Sequence, residues 1–186
     1  MTDSPTTTAT APTGVATGAV TTQVHRIYIR ATAQAIWTAV TDPAWTARYG
    51  YGGYAHYDLR PGGALRMLPD EPMLAGAAAM GFELPEVIID GEVIEVDEPF
   101  HLKTTWRMLL DPGAAAEGFS TVSYDIKEYD GGVCSLTVTH EVEGMPILGA
   151  MVAGTIDDPT MGGGGHPWIL SDLKSVLENG TRMSAA

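Results

Sequence analysis

His140 and Glu141 stand side by side, the opening of the pattern with which helical metalloproteases hold zinc and activate water. That pattern needs a second histidine four positions after the first, and Gly144 occupies the place. His140 is left as a general acid or base, or as a hydrogen-bonded histidine of the core. His25, His56, His101 and His166 show no mutual ligand spacing, and Glu92 with Glu95 and Asp157 with Asp158 are carboxylate pairs lacking a partner base or metal set. The run Gly162 to Gly165 is followed by no Gly-Lys-Ser/Thr, so it is no phosphate loop. It reads as a hinge before the last helix. A sharper reading uses the sterically open α-hydrogen of an exposed glycine, here or at Gly76, which a radical could abstract. Cys134 is the only cysteine, which excludes an intrachain disulfide and a zinc knuckle; on a strand it should be buried and inert. No nucleophile–base pair is recognisable, so no catalytic residue, metal or cofactor is assigned.

The composition narrows the partners. A net charge of −13 with 10 Lys+Arg leaves no basic surface to displace counterions from phosphates, which argues against nucleic acid and anionic membranes. No run of about 18 apolar residues is present to span a bilayer. Residues 1–21 are Thr/Ala-rich, carry no basic residue and have almost nothing large to bury, so they read as a disordered tail. Residues 22–186 form one domain, expected in a reducing cytoplasm.

The elements that must position any site follow from periodicity. Val24 to Arg30 alternates as a strand, and Thr32 caps a helix containing Ile36, Trp37 and Val40. Asp42-Pro43 opens a second short helix reaching about Arg48. Period two then takes over: Tyr54 to Leu59 and Ala64 to Leu68 around Arg60-Pro61-Gly62-Gly63, then Val87 to Val96, with a bulge expected at Asp90-Gly91. His101 to Leu109 returns after Asp97-Glu98-Pro99. Thr121 to Glu128 and Val133 to Glu141 flank Asp130-Gly131-Gly132. The closing helix, from His166-Pro167 to Asn179-Gly180, carries the apolar stripe Ile169, Leu170, Leu173, Val176 and Leu177. The order predicts an α+β fold: strand, two helices, six strands, long helix, with an antiparallel sheet covered on one face. Pro69 to Pro85 and Glu143 to Gly165 show no clear period and read as long, methionine-bearing loops that could cover a ligand.

Strand alternation gathers a wall. Leu102, Thr104, Trp106 and Met108 share one face, as do Val122, Tyr124 and Ile126, and Cys134, Leu136, Val138 and His140. A mainly apolar wall with a few polar points is the usual make-up of a small-molecule pocket. The expected ligand contacts are Trp106, Tyr124, His140, Met108 and Thr104, with Tyr57 and Met67 from the first hairpin.

Several segments, in this order, resemble the START-like (SRPBCC, helix-grip) superfamily and its branch named for the activator of heat-shock-protein ATPase. They are Ala35 to Pro43, Arg60 to Gly63, Gly91 to Pro99, Leu102 with Thr105-Trp106, Gly132, Thr137 to Glu141, Pro167 to Lys174 and Leu177 to Gly180. The resemblance implies a curved antiparallel sheet of about seven strands gripping the C-terminal helix, with a cavity between them. It implies binding of a bulky hydrophobic small molecule, a natural product or lipid-like ligand. The specific expectation is antibiotic (enediyne-type) self-resistance in a secondary-metabolite producer, by sequestration or self-sacrifice. The alternatives are a polyketide aromatase/cyclase using His140 or Tyr124 for proton transfer, and a chaperone-ATPase-activating interaction domain.

Overall fold

The computed structural model describes residues 22–155 and 164–183. The expected tail, and Asp157, Asp158, Met161, Gly162 and Gly163, lie outside them. Seven antiparallel strands form one curved sheet: β1 (Thr22–Ile29), β2 (Tyr54–Tyr57), β3 (Ala64–Leu68), β4 (Ile89–Asp97), β5 (His101–Met108), β6 (Ser120–Tyr129) and β7 (Val133–Glu141). Their order across the sheet is β1-β7-β6-β5-β4-β3-β2, so β1 and β2 are the edges. After β1 come α1 (Ala33–Thr41) and α2 (Pro43–Thr46); α6 (Gly165–Asn179) closes the fold. This is the helix-grip arrangement expected from the strand and helix order.

The local signals act as their chemistry requires. The Thr32 hydroxyl accepts the Ala35 N–H and the Asp42 carboxylate accepts the Ala44 N–H, each satisfying an orphan donor of a first turn. Gly180 ends α6 at φ 75°, the left-handed conformation that glycine adopts without a Cβ clash. The inner face of the sheet and the α6 stripe meet in one core: Ile29, Leu102, Val122, Leu136 and Val138 pack with Ile36, Trp37, Leu170, Leu173 and Val176. Asp172, fully buried on α6, is the polar rivet of this packing. Its carboxylate accepts the Gly50 N–H at 2.8 Å and the Met183 N–H at 2.5 Å, and pairs with Arg182 at 3.2 Å.

Three helices correct the sequence reading. The aperiodic stretch Pro69 to Pro85 holds α3 (Glu71–Ala79), capped by Asp70. Its alanines favour helix without amphipathic patterning, and only Ala77 is buried. α4 (Pro112–Ala116) links β5 to β6, and α5 (Pro146–Val152) occupies the segment expected to be a loop after β7. The second helix also stops earlier than expected, at Thr46. The bulge falls between Val93 and Glu95, not at Asp90-Gly91. Gly91 is in regular register with Leu65, and a Cβ there would lie 2.0 Å from the Thr105 carbonyl oxygen. That glycine answers to close strand approach.

Candidate functional site

All seven expected contact residues project from strands lining the concave side of the sheet. Thr104 is 1% exposed and its hydroxyl has no hydrogen-bond partner among the described residues. Trp106 and Met108 are half-buried, and both border a second small core of Ala114, Val142, Leu148 and Val152 beneath α4 and α5. Met67 is half-buried opposite Ala55. Tyr57 and Tyr124 face each other. Removal from water pushes the Tyr57 phenol well up and the Tyr124 phenol up to about 12. Both residues nevertheless keep part of their surface accessible and pack against the main core.

His140 organises the other end of the wall. It is fully buried on β7, and its Nε2 lies 2.8 Å from Ser120 Oγ on β6, while its Nδ1 lies 3.0 Å from His166 Nε2 at the start of α6. The Trp106 ring meets His140 edge-on at 5.4 Å, and the His25 ring on β1 lies 5.4 Å from that of His166. Sequence spacing did not suggest this cluster, nor the Ser120–His140 pair. The antiparallel register sets Gln23 opposite His140 and Val122 opposite His140, bringing β1 and β6 to the two sides of one histidine. The detectable signal was parity, since His25 shares the inward phase of Ile27 and Ile29.

The hydrogen bonds assign a direction to the chain. Ser120 donates its hydroxyl to the Trp106 carbonyl at 2.8 Å. Ser120 Oγ then accepts from His140 Nε2–H, and His140 Nδ1 accepts from His166 Nε2–H, a set that keeps both imidazoles neutral. A serine whose proton is committed to a carbonyl is no activated nucleophile. Burial holds His140 down to about 4, helped by the charge of His25, and holds His166 down to about 3, helped by His140 and His25. Among the described residues no group of three or more His, Cys, Asp or Glu is placed to hold a metal ion. Both nitrogens of His140 are already engaged. Cys134 is 2% exposed, with its thiol pushed up by burial and then by Glu128.

A groove of about 630 Å³ opens beside this cluster, between β1 and α5. Gln23, His25, Val142, Met145, Gly149 and Ala150 are among its walls. None of the seven expected contact residues lines it.

A model of the Activator of Hsp90 ATPase homolog 1-like protein family matches residues 30–178. The chain belongs to this family. Its fold is shared by solved structures at low sequence identity. CV1439 from Chromobacterium violaceum is 20% identical with a TM-score of 0.58, over 85% of this chain and 97% of that one. DynU16, a protein of the dynemicin biosynthetic locus, is 18% identical with a TM-score of 0.57, over 87% of this chain and 49% of that one. The solution structure of CalU16 from Micromonospora echinospora is 16% identical with a TM-score of 0.55, over 88% of this chain and 69% of that one. The match spans 59% of the CalU16 crystal chain, so this member covers little more than half of some structures it resembles. Among curated proteins, none matches the chain in sequence. No helix among the described residues is long and apolar enough to cross a membrane.

Proposed function

We propose that the chain binds a bulky, largely apolar small molecule between the concave sheet and α6. Trp106, Tyr124, His140, Met108, Thr104, Tyr57 and Met67 supply the contacts. The observation that carries this reading is the Tyr57–Tyr124 pair: two neighbouring phenols packed against the apolar core whose rings stay only partly buried. The Thr104 hydroxyl on the same wall is buried without a partner among the described residues, a polar point within the apolar face. The finer role is self-resistance to an antibiotic, enediyne-type, in the cytoplasm of a secondary-metabolite producer, by capture or by stoichiometric reaction. The fold shared with DynU16, from a natural-product locus, supports that context. Cyclase chemistry would use His140 or Tyr124 to move a proton; both ring nitrogens of His140 are held in the Ser120–His166 chain, and burial raises the Tyr124 phenol.

Titration with a polycyclic apolar ligand should change tryptophan emission, and Trp106→Phe should remove most of the change. An unchanged signal and affinity in Trp106→Phe would place the ligand elsewhere. For the resistance role, DNA is exposed to a diradical-forming natural product and a thiol with increasing protein. Protection should saturate at one equivalent; many turnovers per protein, or no protection at equimolar protein, would sink it.

A further inference from the structure

Two residues that line the groove between β1 and α5, Gln23 and His25, carry buried polar atoms with no hydrogen-bond partner among the described residues. Gln23 is 8% exposed, and its amide N–H donates to the Gly149 carbonyl at 2.7 Å. That bond fixes the amide orientation, so Oε1 faces the other way, buried, as an acceptor with no partner among the described residues. Two residues on, on the same face of β1, His25 Nε2 is also buried without a partner. Native proteins leave few buried polar atoms unpaired, and two on neighbouring residues of one groove wall call for an account. The rest of the wall is mainly apolar, with Val24, Val142, Met145, Pro146, Ala150 and Ala153, and carries Thr22 and Thr155 as further polar residues. A volume of about 630 Å³ lies inside the range of small-molecule sites.

We infer that this groove is a second binding site, distinct from the interior of the grip, for an uncharged, largely apolar molecule carrying a hydroxyl or amide donor. The unpartnered Gln23 oxygen can only accept, so the ligand must donate. Among the described residues the lining holds no Lys, Arg, Asp or Glu, so a carboxylate or ammonium would lose its water there with no counter-charge from them to replace it. Burial keeps His25 below its ordinary pKa, so its neutral ring adds one donor or acceptor suited to the same hydroxyl or amide. The His25 ring leans on His166, which bonds to His140. The groove therefore adjoins the interior wall through a histidine chain without sharing its contact residues.

The test uses the full chain and three probes of nearly one shape: 1-naphthol, 1-methoxynaphthalene, which lacks the donor, and 1-naphthoate, which is charged. Calorimetric titration at pH 7.5 should give 1-naphthol at least tenfold tighter than either of the others. Gln23→Leu should bring 1-naphthol down to the level of its methyl ether. Ala150→Phe, at an exposed α5 position on the rim, should block all three without changing the melting temperature. It serves as the readout should Gln23→Leu fail to fold. Trp106→Phe should leave 1-naphthol affinity within twofold. Equal affinity for 1-naphthol and its methyl ether, no 1-naphthol binding up to its solubility limit, or full binding in Ala150→Phe would each overturn the site. A loss in Trp106→Phe but not in Ala150→Phe would place 1-naphthol inside the grip, overturning this inference while leaving the proposed function standing.

Discussion

The two ends of the concave wall are held together by different physics. At one end Ile29, Leu102, Ile126, Leu136, Leu173 and Val176 meet with apolar atoms alone, and stability there scales with the area taken from water. At the other, Ser120 and His140 are just as withdrawn but are satisfied, with the half-buried His166, by a directional chain anchored on the Trp106 carbonyl. The aliphatic contacts themselves hold no titrating atom and tolerate no loss of volume. The histidine end keeps its bonds only while its rings stay neutral. One sheet thus carries a rigid half and a half whose cohesion depends on conditions, and the groove lies beside the second.

The aliphatic end gives the largest expected effect. Leu173 is 1% exposed at the centre of the α6 stripe. Leu173→Ala should cost about 2–5 kcal/mol in urea unfolding, from lost transfer energy and an unfilled cavity, with the same loss at pH 7.5 and pH 5. A loss below about 0.5 kcal/mol, the scale of an exposed site, would put this end of the wall on the wrong face.

The histidine end should respond to acid. His140 at about 4 and His166 at about 3 lie below the ordinary histidine value of about 6.5. Between those limits the unfolded chain binds more protons than the folded one, so this contribution is complete above pH 6.5 and is lost as pH falls towards 3. His140→Phe separates the network from other titrating groups. It should cost about 1–3 kcal/mol at pH 7.5, because Ser120 and His166 each lose a partner. It should also lose clearly less than the native chain between pH 7.5 and 4.5. Parallel pH profiles for the two proteins would show that the histidines are not the acid-sensitive element.

The contrast also explains what could be read from the sequence. The aliphatic end was legible because every contact there advertises itself locally: alternation in β5, β6 and β7, the Asp130-Gly131-Gly132 turn, the caps Thr32 and Asp42, and the 3.6-residue stripe of α6. The inward phase of Trp106, Tyr124 and His140 followed from the same alternation. The histidine end was not legible, because His25, His140 and His166 come from three elements and meet only through register. α3 was missed because alanine drives it without a period. The groove was missed because α5 was read as loop, and because its polar floor, Gln23 and His25, sits at the start of an edge strand where alternation is short.

The smallest effect concerns how the second half keeps α5 in place. Met145 stands at the N-cap of α5 with no side chain able to take the orphan N–H groups. Glu117, at the end of α4, supplies the cap from across the fold: its two carboxylate oxygens accept the Ile147 and Leu148 N–H groups, each at 2.9 Å. A carboxylate there also meets the positive end of the helix dipole. Glu117→Gln keeps the length and one acceptor oxygen but turns an NH2 towards the second N–H. It should cost about 0.5–1.5 kcal/mol and speed hydrogen exchange at Leu148 by roughly the same free energy, while Leu136 in the aliphatic half stays fully protected. Since α5 is a wall of the groove, 1-naphthol should bind more weakly to Glu117→Gln by a smaller factor than to Ala150→Phe. Equal acceleration of exchange in both halves would mean that α5 and the aliphatic core open as one unit, and the division of the wall into two cohesive halves would fail.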